Sequence, residues 1–229
     1  MISKLKHAWT SWLSRYPRLD RLLRYGRPRQ YWQNRGGQHY FEEQEAAADR
    51  TRRSEFLGGE IQKLEYAAFL EIGCGYGKQL QRAAKPGALV AGIDFSRPQL
   101  LKARSYLQGA RCLAEADAER LPFRDKSFDA VFSSAVILHN DYEKARKILA
   151  EMMRLSRRYL IHNEDTDITF SRYGYDLQKT YAKMRLRIVT SCPIESAPDP
   201  SITQFTVAEL PAPDFQVPPE QIPLQYHEK

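Results

Sequence analysis

The stretch Phe69-Leu-Glu-Ile-Gly-Cys-Gly-Tyr-Gly77 decides the fold. It joins an apolar, strand-like run to three glycines at alternate positions, with Glu71 set in the strand just ahead of them. Gly73, Gly75 and Gly77 permit backbone angles that a Cβ forbids, and they let the main chain approach a ligand where a strand turns into a helix. The dinucleotide fingerprint G-x-G-x-x-G wants a glycine where this chain has Lys78. A carboxylate just before the loop repels a pyrophosphate and attracts a cation. The pattern therefore predicts a positively charged ligand on the loop Gly73 to Gly77, with Cys74 as a small filler.

Outward from the loop, the chain alternates in the manner of βαβ units. The pattern predicts strands over Ala67 to Ile72, Ala88 to Asp94, Arg111 to Ala114, Phe128 to Ser134 and Arg158 to His162. Helices are predicted over Lys78 to Ala84, Pro98 to Gln108 and Tyr142 to Leu155, the last with Ile148, Leu149, Met152 and Leu155 on one side. Glu42 to Gly58 is rich in Ala, Glu and Arg without proline, and reads as one helix ending at Gly58-Gly59. Short strands alternating with helices imply a parallel sheet covered on both faces. Ligands of such sheets bind beyond the carboxyl ends of the strands, which puts Ser133, His139, His162 and Glu164 at the reactive edge. A neutral histidine there suits a general base for a hydroxyl acceptor.

Four segments in order carry a family resemblance. Glu71 and its glycines match E/D-x-G-x-G-x-G, and Val90-Ala-Gly-Ile-Asp94-Phe-Ser96 follows as a second strand ending in an acid. Ala116-Asp117-Ala118 stands after the third strand, and Leu121-Pro-Phe-Arg-Asp-Lys-Ser-Phe-Asp-Ala-Val-Phe132 leads into the fourth. In these features the chain resembles the class I S-adenosylmethionine-dependent methyltransferases, especially small-molecule members of the ubiquinone and menaquinone type. The resemblance implies an α/β, Rossmann-like seven-stranded sheet with helices on both faces. Its last hairpin would be antiparallel, supplied by Leu186 to Ser191 and Gln204 to Ala208.

The resemblance also implies S-adenosyl-L-methionine as cofactor, held by Glu71, Gly73, Cys74, Gly75 and Gly77. Asp94 and Phe95 would lie at the ribose, Asp117 and Ala118 at the adenine, and Ser133 near the methyl group. Tyr40, with Tyr31, would close over the cofactor while Arg35 pairs its carboxylate. The same residues have plainer readings: Asp117 as a cap of the turn after it, Tyr31 and Tyr40 as an aromatic cluster, and His139 as a wall of the methionine pocket. His139 and His162 are the candidate catalytic groups, and no metal site is expected.

Enzymes of this family that methylate amino groups of bases or glutamine carry Asn/Asp-Pro-Pro-Tyr/Phe after the fourth strand, where this chain has Ser133-Ser-Ala-Val136. That departure argues against base N-methylation. It leaves oxygen or carbon of a small-molecule, glycan or lipid-like acceptor, with an RNA or protein acceptor as the alternative. An NAD-dependent oxidoreductase and a non-catalytic S-adenosylmethionine-binding protein are the rivals from other classes. Tyr175 and Lys179 reproduce the Y-x-x-x-K spacing of short-chain dehydrogenases, but the glycine loop those enzymes need is absent.

The 229 residues, 42% of them hydrophobic, suit one domain with extensions. The sequence divides into a basic amphipathic helical arm (1–36), the cofactor-binding domain (37–210) and a proline-rich tail (211–229), read as extended or disordered. The net charge of +7 gathers in the arm, where Lys4, Lys6, Arg15, Arg18, Arg21 and Arg24 accompany Trp9 and Trp12. Such an arm suits either a lid on its own domain or peripheral contact with an anionic membrane; no nucleic-acid recognition module accompanies it. Three scattered cysteines and the lack of a long apolar run point to a cytoplasmic protein, with membrane-peripheral placement if the arm binds lipid. The sequence leaves the oligomeric state open.

Overall fold

The structure, a computed structural model, describes residues 28–108, 112–169 and 172–224. Most of the basic arm, and with it the lid and membrane readings, lies outside these residues.

Seven strands form one sheet: β1 (Ala68–Ile72), β2 (Leu89–Asp94), β3 (Cys112–Glu115), β4 (Phe128–Ser134), β5 (Ser156–Asp165), β6 (Arg187–Pro193) and β7 (Thr203–Glu209). Their order is β3-β2-β1-β4-β5-β7-β6. The first five run parallel, and β7 pairs antiparallel with both β5 and β6. The expected closing hairpin is present. Strand order reverses between β1 and β4, which opens the crevice of a doubly wound sheet at their carboxyl ends.

Alternation along the strands feeds two cores. Leu70 and Ile72 enter one, against Ile148, Leu149 and Met152 of α6 (Tyr142–Leu155). Phe69 enters the other, with Leu57 and Ile61 of α3 (Ala48–Gln62) and Leu80 of α4 (Lys78–Ala83). The helix α6 begins where the sequence predicts, because Asp141 caps it by accepting from Lys144 N at 3.0 Å. The helix α5 (Arg97–Tyr106) follows Ser96 and has proline in its first turn.

Three local expectations need correction. The single helix over Glu42 to Gly58 is two, α2 (Gln38–Glu45) and α3, following α1 (Pro28–Arg35). Extended backbone at Ala47 separates them, and Glu45 at the end of α2 is tied to Tyr76 Oη at 2.8 Å and Lys78 Nζ at 2.8 Å. Gly58 is no terminator: it lies inside α3, where a Cβ would come within 2.9 Å of Arg82 Cβ on α4. Its lack of a side chain permits two helices to cross closely. Leu177–Lys183 forms a helix, α7, that the sequence reading did not assign.

The segment after β7 is extended and docked. Ile222 and Leu224 are buried in the α6 core, Arg146 Nε donates to Pro219 O, and Lys126 Nζ donates to Phe215 O at 2.8 Å. Among the described residues no helix is long and apolar enough to cross a membrane.

Candidate active site

All three loop glycines have positive φ: 67° at Gly73, 54° at Gly75 and 88° at Gly77. A Cβ on Gly73 would sit 2.4 Å from Val136 Cγ2, so this glycine lets the β1 and β4 turns touch. Gly75 faces open space, with only Gln99 Nε2 at 3.8 Å from a Cβ there. Cys74 N donates to Ile93 O at 2.9 Å, and the buried Cys74 thiol is pushed well up by burial, so it is inert filler.

Asp94 braces the loop. Its Oδ2 accepts from Gly75 N at 2.9 Å and its Oδ1 from Ser96 N at 2.7 Å. Burial pushes the carboxyl up to about 6 against these donors and the Phe95 N–H. Glu71, 3% exposed, accepts from Leu80 N, but its Oε2 is buried with no hydrogen-bond partner. Burial and then the charge of Asp94 raise the Glu71 carboxyl well above the ordinary range. Two carboxylates therefore converge on a backbone cradle with no cation between them among the described residues. Asp117 is exposed and its Oδ1 accepts from Glu119 N at 3.2 Å, while Ala118 is buried. Its capping role is thus present without removing it from the crevice rim.

Above the crevice, Trp32 of α1 stands edge-on to Tyr31, Tyr40 and His139, at 5.2, 5.6 and 5.7 Å between ring centroids. Ser96 Oγ donates to Trp32 O at 3.0 Å, which fastens α1 to the end of β2. Trp32, a residue without an expected role, thus gathers Tyr31 and Tyr40 into one aromatic cluster with His139. Its flanking tyrosines were the only signal. Arg35 Nη2 donates to both oxygens of Glu43 at 2.9 Å, and its guanidinium lies 5.3 Å from the Tyr40 ring centre.

The ends of β4 and β5 carry a relay of side chains. Tyr181 Oη donates to His162 Nε2 at 2.6 Å, and His162 Nδ1 lies 2.9 Å from Ser133 Oγ. Ser133 Oγ donates to Glu164 Oε1 at 3.0 Å. With Glu164 ionised, Ser133 gives its hydrogen to that carboxylate, so His162 carries its own on Nδ1 and donates it to Ser133. Glu164 also accepts from the backbone N–H groups of Val136, Ile137 and Leu138 at 3.1, 3.1 and 3.2 Å. Burial outweighs those donors and pushes its carboxyl up to about 7. The relay thus grips the turn that presents His139. His162 is 1% exposed, and burial pulls it down to about 3. Both of its ring nitrogens are engaged in the relay, which runs through Ser133 and Glu164 to the turn. His139 is half-buried on the turn, and burial, then the charge of Arg172, pulls it down to about 3. Ser133 is completely buried and held within the relay by His162 and Glu164. Among the described residues no group of three His, Cys, Asp or Glu side chains could hold a metal ion.

Residues 70–159 match the profile of a methyltransferase domain. The chain is 30% identical over 168 residues to the demethylmenaquinone methyltransferase of Clavibacter sepedonicus, covering 66% of this chain and 68% of that one. The chain belongs to the class I S-adenosylmethionine-dependent methyltransferases. A malonyl-[acyl-carrier protein] O-methyltransferase of Pseudescherichia vulneris is 38% identical over 89 residues, 38% of this chain and 35% of that one. With the fungal O-methyltransferases it matches, this methyltransferase-family chain shares 50% and 48% of their length. The chain thus spans half or less of the length of these last three relatives. Among solved structures, magnesium protoporphyrin IX methyltransferase of Synechocystis PCC 6803 with bound SAH superposes with a TM-score of 0.59 at 17% identity, over 70% of this chain and 84% of that one.

Proposed function

We propose that the protein transfers a methyl group from S-adenosylmethionine to oxygen or carbon of a small-molecule or lipid-like acceptor. The observation that carries this reading is the buried pair Glu71 and Asp94 beside the glycine cradle, with Glu71 Oε2 lacking a partner. Such a pair is costly by itself and fits a ligand that brings positive charge and hydroxyl donors. The cofactor supplies an activated methyl on a sulfonium; the protein's contribution is alignment and exclusion of water. Glu71 would face the charged methionine end, Asp94 the ribose, and Asp117 with Ala118 the adenine. Trp32 and Tyr40 would cover the crevice. His139 stays neutral at physiological pH and can accept a hydrogen bond from an acceptor hydroxyl, but at about 3 it is a weak base. Orientation is therefore its larger contribution. The lack of a Pro-Pro-aromatic turn after β4 supports oxygen or carbon, as do the O-methyltransferase names of relatives.

Calorimetry with S-adenosylhomocysteine and with NADH tests the cofactor. Binding of the former alone is expected, and binding of NADH alone would overturn the reading. Extracts supplied with methyl-labelled S-adenosylmethionine should then show label in small-molecule or lipid fractions. Label confined to RNA or protein would overturn the acceptor class.

A further inference from the structure

The acceptor side of the crevice carries guanidinium groups that its own carboxylates do not fully pair. Helix α3 buries Ser54, Leu57, Gly58 and Ile61 along one stripe. Toward its N-terminus the stripe continues into Arg50 and Arg53, which are neighbours at helical spacing. Both are half-buried, so their stems run along protein surface. Arg50 Nη1 is buried and makes no hydrogen bond; Glu43 Oε1, already held by Arg35, is 3.7 Å away. Arg53 has neither a hydrogen bond nor an ion pair among the described residues. Burial and then the charge of Arg50 lower its pKa, Arg172 pushes the same way, and Asp49 and Asp165 oppose them in part. Arg172 approaches from beyond β5, where its Nη1 donates to Asp165 Oδ2 at 3.0 Å. Asp165 Oδ1 is occupied by Thr203 Oγ1 at 2.7 Å.

Half-buried guanidiniums that repel one another suit an oxyanion, which their planar forks can grip bidentately. The cofactor's own carboxylate is the rival occupant. Against it, β5 lies two strands from β1, about 10 Å from the glycine loop. The charge of Arg172 also acts on His139, the group facing the acceptor.

We propose that Arg50, Arg53 and Arg172 form an oxyanion subsite and that the methyl acceptor is a small acid anchored there by its anionic group. This rests on the methyltransferase reading. Anchoring one end of the acceptor beyond His139 would aim the other at the glycine loop.

The test uses the full chain saturated with S-adenosylhomocysteine. Succinate and inorganic phosphate are titrated separately by calorimetry, with ionic strength held constant by potassium chloride so that general screening does not change. Saturable binding of at least one is expected, with succinate alone indicating a carboxylic acid acceptor and phosphate alone a phosphorylated one. Arg53→Gln and Arg172→Gln should each weaken that binding roughly tenfold, a charge-assisted pair lost. Arg53→Lys should recover it only in part, and S-adenosylhomocysteine affinity should stay within about twofold of wild type, as expected for a site distinct from the cofactor's. Three results would overturn the subsite: no saturable anion binding, binding indifferent to both glutamine variants, or a matching loss of S-adenosylhomocysteine affinity, which would assign the arginines to the cofactor. If wild-type protein fails to bind S-adenosylhomocysteine, the methyltransferase reading falls and takes the subsite with it. Binding of S-adenosylhomocysteine without the anions removes the subsite alone.

Discussion

The glycine loop and the β4–β5 edge lie side by side in one crevice, yet they are built by different means. The loop is main chain: nine consecutive residues, three positive φ angles and one brace from Asp94. The edge is side chain: Trp32, His139, Glu164 and Tyr181 come from four separate elements or turns. A backbone site is fixed by local stereochemistry, so it tolerates little change at any glycine. A side-chain site is fixed by packing, so its cost is spread over partners that can be altered one at a time.

The sharpest break of this contrast is Gly73→Ala. A Cβ 2.4 Å from Val136 Cγ2, on a residue at φ 67°, has to push the β4 turn away from the loop. Cofactor affinity should fall by a hundredfold or more, on the order of 3 kcal/mol, because strain and displacement act together. Gly59→Ala is the control, since nothing lies within 4 Å of a Cβ there. It should stabilise α3 by up to about 1 kcal/mol and leave calorimetric titrations unchanged. Equal losses in both variants would remove the special standing of the loop.

The relay predicts a smaller and different effect. Tyr181→Phe leaves buried His162 Nε2 without its 2.6 Å donor, which should cost about 1–3 kcal/mol in denaturant unfolding. Cofactor affinity should barely move. A large loss of affinity without loss of stability would mean that the edge is part of the cofactor site.

The smallest effect is expected where the two constructions meet, at Glu71 and Asp94. Asp94 at about 6 and Glu164 at about 7 are raised by folding, so the stability they contribute is fully present below their unfolded values, about 4, and lost as pH rises through 6 and 7. Ligand-free protein should therefore be less stable at pH 8 than at pH 5. Glu71→Gln removes one of two repelling buried charges and should recover about 1 kcal/mol at pH 8 while weakening cofactor binding several-fold. Thermal melts across that range check both signs, and a flat wild-type profile would contradict the raising of these carboxyls by burial.

The contrast also explains what could be read in advance. The parallel strands and the loop with Asp94 follow from short-range patterns: alternation in the strands, glycine spacing and an acid at the end of β2, whereas the final hairpin was implied by the family resemblance. The split between α2 and α3 did not, because it depends on Glu45 meeting Tyr76 and Lys78 from elsewhere in the fold. Gly58 misled for the same reason, since its near neighbour is Arg82 on another helix. Ser133 and His162 were placed at the right edge by strand assignment, but nothing local to them announces Tyr181, whose partner is distant in sequence.

The docked segment after β7 has a consequence for synthesis. Lys126 ties the turn before β4 to Met153 O, Ser156 O and Phe215 O, and Ile222 and Leu224 complete the core under α6. The glycine-loop half of the sheet can assemble as the chain emerges, because β1, β2 and their helices are near neighbours in sequence. The α6 face has no such freedom. Its apolar side chains must wait, partly uncovered, until residue 224 has left the ribosome, so this face is where a nascent chain most needs shelter from aggregation.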